Sequence, residues 1–143
     1  MILDEKFVRR AVVNWLSRQG YNRYLQEKET AEHGVDIKVR HYKYPRYFLI
    51  EVKGEPNAKT NKYVSSAREV QFVYALGQII SRMCYKAKYW YAVAFPESFE
   101  DKVTRRLPWQ VCKKLRLKAL IVHSSGKVRE VTWKELKTKQ TVC

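Results

Sequence analysis

Two short stretches of the sequence place charged side chains inside patterns that are typical of β-strands. Residues 34–39 alternate in polarity around Asp36, and residues 48–53 are apolar except for Glu51 and Lys53. A charged group in such a strand is costly unless it is paired or used. Two acids and an amine on paired strands can hold a divalent cation beside a water molecule, so these residues indicate metal-assisted hydrolysis.

The spacing of the two stretches predicts an antiparallel hairpin centred on Lys43-Tyr44. In that register Asp36 lies opposite Glu51, Lys38 lies opposite Leu49, and Arg40 lies opposite Tyr47, because opposed residues point to the same side. Asp36, Glu51 and Lys53 then share one face of the hairpin. The other face is apolar and consists of Val35, Ile37, Val39, Phe48, Ile50 and Val52.

The predicted pair of carboxylates favours a hard cation. Two carboxylates about 5 Å apart repel each other unless a cation lies between them. Oxygen ligands suit Mg²⁺ or Mn²⁺, so we expect Asp36, Glu51 and the backbone carbonyl of Val52 to be the metal ligands. The metal would lower the pKa of a bound water, and Lys53 would orient that water or neutralise developing charge.

The charge of the chain predicts a polyanionic partner. Lys and Arg number 29 against 14 Asp and Glu, a net charge of +15, which favours DNA as the partner. The loop that follows Lys53 is the best candidate for touching DNA near the cleaved phosphate. The predicted DNA contacts are Lys59, Lys62, Arg9 and Lys38.

Other classes of protein are disfavoured by the sequence. There is no apolar run long enough to cross a bilayer, no separate basic amphipathic helix for a membrane surface, and no Gly-rich loop for a nucleotide cofactor. The first residues are too charged for a signal peptide. The 3 cysteines include no C-x-x-C pair, which indicates reduced thiols and a cytoplasmic location.

The remaining elements are read from hydrophobic periodicity. The length predicts one domain over residues 1–143. We expect helices over residues 4–19, about 66–86, 98–107, a short turn from Pro108 and one turn after Trp133. We expect strands over residues 21–28, 35–40, 47–53, 89–95, 119–123 and 128–132.

The helix at residues 66–86 is predicted in most detail. Ser66 and Glu69 have the spacing of a capping box at its start. Its apolar face is predicted from the recurring residues Val70, Val73, Tyr74, Leu76, Gly77, Ile80 and Met83. Gly77 is expected to let this helix pack closely against a neighbour. The fold class is therefore α/β, a mixed central sheet flanked by helices with an extra C-terminal strand pair.

The acids, the lysine and the element order resemble the PD-(D/E)XK nuclease superfamily, which has a restriction-endonuclease-like αβββαβ core. Residue 35 is Val where many members have Pro. Residues 75–80 and 89–97 most resemble the XisH-like excision controlling factors, and the superfamily also includes archaeal Holliday-junction resolvases. The resemblance implies a metal-dependent DNA endonuclease and a homodimer. Branched or recombination-related DNA, nicked duplex, flaps and specific sites all stay open as substrates.

The resemblance also implies roles for single residues. Asp36 and Glu51 match the metal-binding acids, and Lys53 matches the catalytic lysine. Glu5 matches a first-helix acid that contacts metal or water, although a first-turn acid also suits the helix dipole. Gln78 matches a helix glutamine, with Gln71 as the alternative. Two other functions stay open: a non-cleaving DNA-binding regulator of mobile-element excision with a nuclease fold, and a structural or RNA-binding basic protein.

Overall fold

The structure is a computed structural model, and it describes residues 3–25, 36–56, 63–84 and 88–140. The helices are α1 (Glu5–Arg18), α2 (Val64–Ser81), α3 (Glu100–Arg106), α4 (Trp109–Leu115) and α5 (Trp133–Lys139), with a 3-10 turn at Glu97–Phe99. The strands are β1 (Tyr21–Tyr24), β2 (Ile37–His41), β3 (Tyr47–Val52), β4 (Tyr89–Pro96), β5 (Leu117–Val122) and β6 (Val128–Val131).

The strands form one six-stranded sheet in the order β1-β2-β3-β4-β5-β6. Strand β3 is parallel to β4, and β4 is parallel to β5, whereas the other neighbouring pairs are antiparallel. Each parallel pair needs a crossover, which α2 supplies between β3 and β4, and α3 with α4 between β4 and β5. The expected mixed sheet with helices on its faces and a closing strand pair is confirmed.

The predicted register of the β2–β3 hairpin is also confirmed. Lys38 pairs with Leu49, Arg40 with Tyr47, and Ile37 with Ile50. One further step along this register brings Asp36 opposite Glu51. The alternation of side chains therefore places both acids on the same side of the sheet.

Two hydrophobic clusters cover the two faces of the sheet. On one face α1 contributes Val8, Val12 and Leu16, which pack with hairpin residues such as Ile37 and Ile50. On the other face α2 contributes Phe72, Ala75 and Ile79, which pack with residues such as Leu49 and Val93. Leu49 and Glu51 are two positions apart on β3, so Glu51 lies on the α2 side.

Helix α2 departs from its prediction in two respects. It begins at Val64, its N-cap residue Tyr63 makes no side-chain cap, and Glu69 binds Lys102 and Arg106 instead of a helix end. The predicted capping box is therefore wrong, because the strong basic partners on α3 take the Glu69 carboxylate. The predicted apolar face is wrong for Val70, Val73, Tyr74 and Ile80, which are exposed. It is right for Leu76 and Met83, which pack against the core.

Other bounds differ by a few residues. Helix α2 ends at Ser81 and not at residue 86, and the predicted single turns after Pro108 and Trp133 are helices of 7 residues each. Strand β1 is described only to Tyr24, and the end of its predicted range lies outside the described residues. Among the described residues, no helix has the length and apolar character needed to cross a membrane.

Candidate metal-binding and hydrolytic site

Asp36 is held in place by two parts of the fold. Its Oδ2 accepts a hydrogen bond of 2.7 Å from the backbone N–H of Val52, which ties it across the hairpin to β3. The guanidinium of Arg9, on α1, donates to the Asp36 backbone carbonyl at 2.8 Å and to Oδ1 at 3.2 Å. Helix and hairpin therefore fix both the backbone and the carboxylate of Asp36.

Glu51 is a buried acid on a strand that is otherwise apolar. Glu51 is 2% exposed, and no other charged residue in the described part of the chain is buried. Burial raises the pKa of Glu51 from its ordinary value to about 8. The charge of Asp36 and a hydrogen bond that protonated Glu51 donates to the Asp36 carboxylate add to the rise. With no cation present, Glu51 therefore holds a proton at neutral pH.

One oxygen of this buried acid lacks a partner. Oε1 of Glu51 has no hydrogen bond within the described residues, although it is fully enclosed. A buried polar atom without a partner is costly, and such atoms occur where a ligand or ion binds. The carboxyl group that carries this atom interacts with Asp36 through charge and a hydrogen bond.

Two basic side chains approach Glu51 from different elements. Lys53 and Arg82 both lower the pKa of Glu51 through their charges, against the larger effect of burial. Lys53 follows β3 directly, and its backbone N–H donates to the carbonyl of Ala94 at 3.0 Å, so the parallel pairing continues past the acid. Arg82 is the C-cap of α2, and its Nε is buried without a hydrogen-bond partner among the described residues.

Helix α2 turns a line of polar groups towards the interior. Oε1 of Gln71, Oε1 of Gln78 and Nε of Arg82 are all buried and lack hydrogen-bond partners in the described part of the chain. Gln78 is seven positions after Gln71 and four before Arg82, so the three residues lie on one side of the helix. The line includes Gln78 and its alternative, Gln71, and the geometry does not separate the two.

The start of α1 is packed against the end of β3. A Cβ placed on Gly54 would lie 2.1 Å from the backbone nitrogen of Glu5, and the N–H of Glu55 donates to the carbonyl of Leu3 at 2.8 Å. Glu5 therefore begins α1 next to the residue that follows Lys53. Its side chain is exposed.

The donor set fits a hard divalent cation in part. Asp36 and Glu51 offer carboxylate oxygens on one side of the hairpin, and one of these oxygens has no partner. Across the described ranges, no group of three or more His, Cys, Asp or Glu is arranged to hold a metal. Mg²⁺ commonly binds one or two carboxylates and completes its shell with water and phosphate oxygens, so two acids are enough.

Glu55 is the nearest further acid along the chain, but it is engaged elsewhere. Its carboxylate accepts a hydrogen bond from Nε of Arg68 at 2.6 Å and another from the hydroxyl of Ser98. These contacts join the end of β3 to α2 and to the turn after β4. Glu55 is thus a structural link and not a third ligand.

The predicted DNA contacts have different outcomes. Arg9 lies on Asp36, with 42% of its side chain exposed, so it positions the acid while part of it stays open to solvent. Lys38 is half-buried on β2 opposite Leu49. Lys59 and Lys62 lie outside the described residues.

Sequence reasoning missed three residues at this site. It offered Arg9 only as a DNA contact, and it gave no role to Arg82 or Gly54. Only the Gly directly after Lys53 carried a signal, since a glycine there is typical of a close backbone approach. The position of Arg82 depends on where α2 ends, which its sequence does not mark.

A basic recess lies on the side of α1 opposite Arg9. A cavity of about 490 Å³ separates α1 from the turn between β5 and β6, and its lining includes Arg10, Asn14, Arg18, Ser124 and Ser125. Arg18 is nine residues from Arg9, which places the two on opposite sides of the helix. Neither Arg10 nor Arg18 forms an ion pair within the described residues.

Two crystal structures are similar to this structure. An XisH family protein from Nostoc punctiforme PCC 73102 matches with a TM-score of 0.51 and 14% identity, covering 88% of this chain and 99% of that chain. An FdxN element excision controlling factor protein from Anabaena variabilis matches with a TM-score of 0.47 and 12% identity, covering 89% and 99%. No family model and no curated protein sequence matches the chain.

At 14% identity the first match shows a shared fold and nothing more. It extends over 88% of this chain and 99% of that protein. The chain therefore has the restriction-endonuclease-like α/β fold of the XisH family protein from Nostoc punctiforme.

Proposed function

We propose that this protein is a metal-dependent DNA endonuclease that hydrolyses phosphodiester bonds with Asp36, Glu51 and Lys53. The observation that carries the proposal is the Glu51 carboxyl, enclosed beside Asp36 with one oxygen lacking a partner. A protein gains nothing in stability by burying a second acid against a first. A divalent cation removes that cost and supplies the charge that the reaction needs.

Each side chain has a distinct task in this proposal. Asp36 and Glu51 would hold Mg²⁺ or Mn²⁺, and the metal when bound would generate a nucleophilic water and stabilise charge on the phosphate. Lys53 would orient the attacking water near Glu51. Arg9 would keep the Asp36 carboxylate in position through its two hydrogen bonds.

Arg82 and Gln78 extend the site along α2. The Arg82 guanidinium lies close enough to Glu51 to lower its pKa, and its Nε has no protein partner among the described residues. A guanidinium beside a metal site is suited to a phosphate oxygen of the substrate. Gln78 would donate to a water or to the same phosphate.

The proposed substrate is DNA because of the overall charge. A net charge of +15 favours a polyanion, and the exposed arginines of the recess beside α1 would add phosphate contacts at a distance from the acids. We place one nuclease-like domain over residues 1–143. Substrates that are branched or arise in recombination remain part of the proposal.

A second function is favoured by one specific observation. The Arg9 guanidinium already neutralises part of the charge on Asp36, and no third acid joins the pair in the described part of the chain. Such a site could keep its fold with no metal and no cleavage. The protein would then be a non-cleaving DNA-binding regulator of mobile-element excision, the process after which the Anabaena variabilis protein is named.

One experiment separates the two functions. Supercoiled plasmid is incubated with the protein and Mg²⁺ or Mn²⁺, and nicked and linear products are followed on a gel. We expect nicking that Asp36→Asn and Lys53→Ala each reduce at least about a hundredfold, the usual scale for loss of a metal ligand or a charge-stabilising group. The matched controls Asp101→Asn and Lys114→Ala change exposed residues on α3 and α4 and should cleave normally.

The alternative gives a different result in the same assay. A gel shift with no nicking under either metal, and with no effect of Asp36→Asn on DNA affinity, would support the non-cleaving regulator. Thermal melting of every variant checks that the fold is intact. Cleavage that persists in both variants would contradict the proposed site.

A further inference from the structure

The outward side of α2 is apolar and exposed. Val70, Val73, Tyr74 and Ile80 are 52%, 53%, 62% and 48% exposed. The same helix buries Phe72, Ala75 and Ile79 against the sheet. We call this outward surface the α2 stripe. It consists of Val70, Val73, Tyr74, Gly77 and Ile80. A helix that is apolar on both sides is typical of one that is covered on both sides.

The charge pattern of α2 sets it apart from the rest of the molecule. The chain is 30% charged, yet residues 70–81 contain no Asp, Glu, Lys or Arg. The exposed face of a helix in so charged a protein is expected to carry charged side chains. The α2 stripe is therefore an uncharged surface that is exposed to solvent.

Gly77 lies in the middle of the α2 stripe. A Cβ on this glycine would meet no atom within 4 Å, so packing inside the described structure does not require a glycine there. Glycine destabilises a helix interior relative to alanine. What it provides is a gap between the side chains of Tyr74 and Ile80, into which the backbone of another helix can fit.

We propose that the α2 stripe is the interface of a homodimer, in which a second copy of the chain packs its own α2 antiparallel across Gly77. A two-fold axis beside Gly77 places Tyr74 of one protomer opposite Ile80 of its partner, because these residues lie three positions before and after it. A bulky ring then meets an aliphatic side chain at both ends of a close contact. The stripe is complementary to itself in this arrangement.

The overall charge restricts where a second copy can bind. Two molecules of +15 repel each other over most of their surfaces, so they can associate only through a face without charge. DNA is excluded as the occupant because the α2 stripe offers no cation to a phosphate. One helix face buries less than the roughly 800 Å² per partner of a standard interface, so a dimer with micromolar affinity is expected.

The α2 stripe is exposed, whereas the polar atoms of the buried line are enclosed, so dimerisation can be measured separately from the proposed hydrolysis. The first test is sedimentation equilibrium of the full chain between about 1 and 200 μM, a range that brackets micromolar affinity. We expect a monomer–dimer equilibrium that Val73→Lys weakens at least tenfold. The control Leu115→Lys adds the same charge to another exposed apolar residue, on α4, and should leave the equilibrium unchanged.

A cross-link tests the geometry. Gly77→Cys, in a chain carrying Cys84→Ser and Cys143→Ser, should form a disulfide-linked dimer under mild oxidation, because residue 77 of both protomers lies beside the axis. Leu115→Cys in the same background should stay monomeric. A wild-type chain that is monomeric at 200 μM, or a dimer that neither Val73→Lys weakens nor Gly77→Cys cross-links, overturns the proposal.

Discussion

The hairpin at Glu51 and the outward side of α2 break the usual division of polar and apolar groups in opposite ways. Glu51 is a carboxyl enclosed at 2% exposure, whereas Tyr74 is a large aromatic side chain at 62%. The first carries a cost of desolvation, and the second leaves apolar area in water. In the two proposals each cost is removed by a partner of the right chemistry: a cation in one place and an apolar helix in the other.

The two regions also differ in how tightly they are built. Around Asp36 and Glu51, hydrogen bonds from Val52 and Arg9 and the close approach of Gly54 to α1 leave little room for change. The α2 stripe has open space around Gly77. A site for chemistry needs fixed geometry, while a contact surface needs only shape and the absence of charge.

The largest effect is expected for Glu51→Gln, which removes the buried acid but keeps its shape. Cleavage should fall at least about a hundredfold, because a metal ligand is lost. Stability should rise by about 1–3 kcal/mol at pH 9, because the wild-type carboxylate is then ionised in an enclosed position. Chemical denaturation at pH 6 and pH 9 measures this difference.

The direction of the pKa shift of Glu51 determines how its contribution to stability changes with pH. The folded pKa of Glu51 is about 8, above the ordinary value of 4.5, so the folded state binds more protons between these values. Its contribution to stability is present below pH 4.5 and is lost as the pH rises towards 8. Glu51→Gln should therefore match the wild type at low pH and exceed it at high pH. Equal stability at both pH values would contradict the burial argument.

The same contrast explains what the sequence could predict. A strand has two sides, so alternation around Asp36 and Glu51 was enough to predict the register and the shared face. Helix α2 has apolar residues on two sides, and the 3.6-residue period then selects either side equally well. Val73 and Tyr74 were assigned to the core for this reason, although Phe72 and Ile79 fill it.

Long-range contacts account for the remaining differences. Arg9 reaches Asp36 across 27 residues of sequence, and Glu69 is drawn to Lys102 and Arg106 on α3. Neither pairing leaves a local pattern that the sequence displays. The metal ligands are predicted from the hairpin, and the roles of Glu5 and Gln78 come from the resemblance. The contacts of Arg9 and Arg82 required the tertiary structure.

The second prediction concerns Gly54→Ala, at the close contact between the end of β3 and the start of α1. The new Cβ would lie 2.1 Å from the nitrogen of Glu5 and 2.5 Å from the carbonyl carbon of Asp4, and backbone atoms cannot yield as a side chain can. The start of α1 must move, so we expect a loss of about 2–4 kcal/mol in the free energy of unfolding. Chemical denaturation measures the loss, and a change below about 0.5 kcal/mol would contradict the close packing.

The third prediction concerns the pH dependence of metal binding at Glu51. Because Glu51 holds a proton below pH 8, a metal must displace that proton in order to bind. The affinity for Mn²⁺, measured by calorimetry, should therefore rise about tenfold per pH unit between pH 6 and pH 8. Glu51→Gln should abolish this dependence on pH. An affinity that is flat over this range would show that Glu51 is not a ligand.

The smallest effect is expected for Gly77→Ala, the counterpart of Gly54→Ala on the open surface. No atom lies within 4 Å of the added methyl group, so alanine should stabilise the monomer by about 0.5–1 kcal/mol through its higher helix propensity. Denaturation at a concentration below that of dimer formation isolates this term from association. The same methyl group would push the two helices apart, so sedimentation should show a weaker dimer at high concentration. Opposite changes in folding and association are the mark of a glycine that serves a contact between chains, and a variant that destabilises the monomer would place a neighbour at Gly77 within the chain itself.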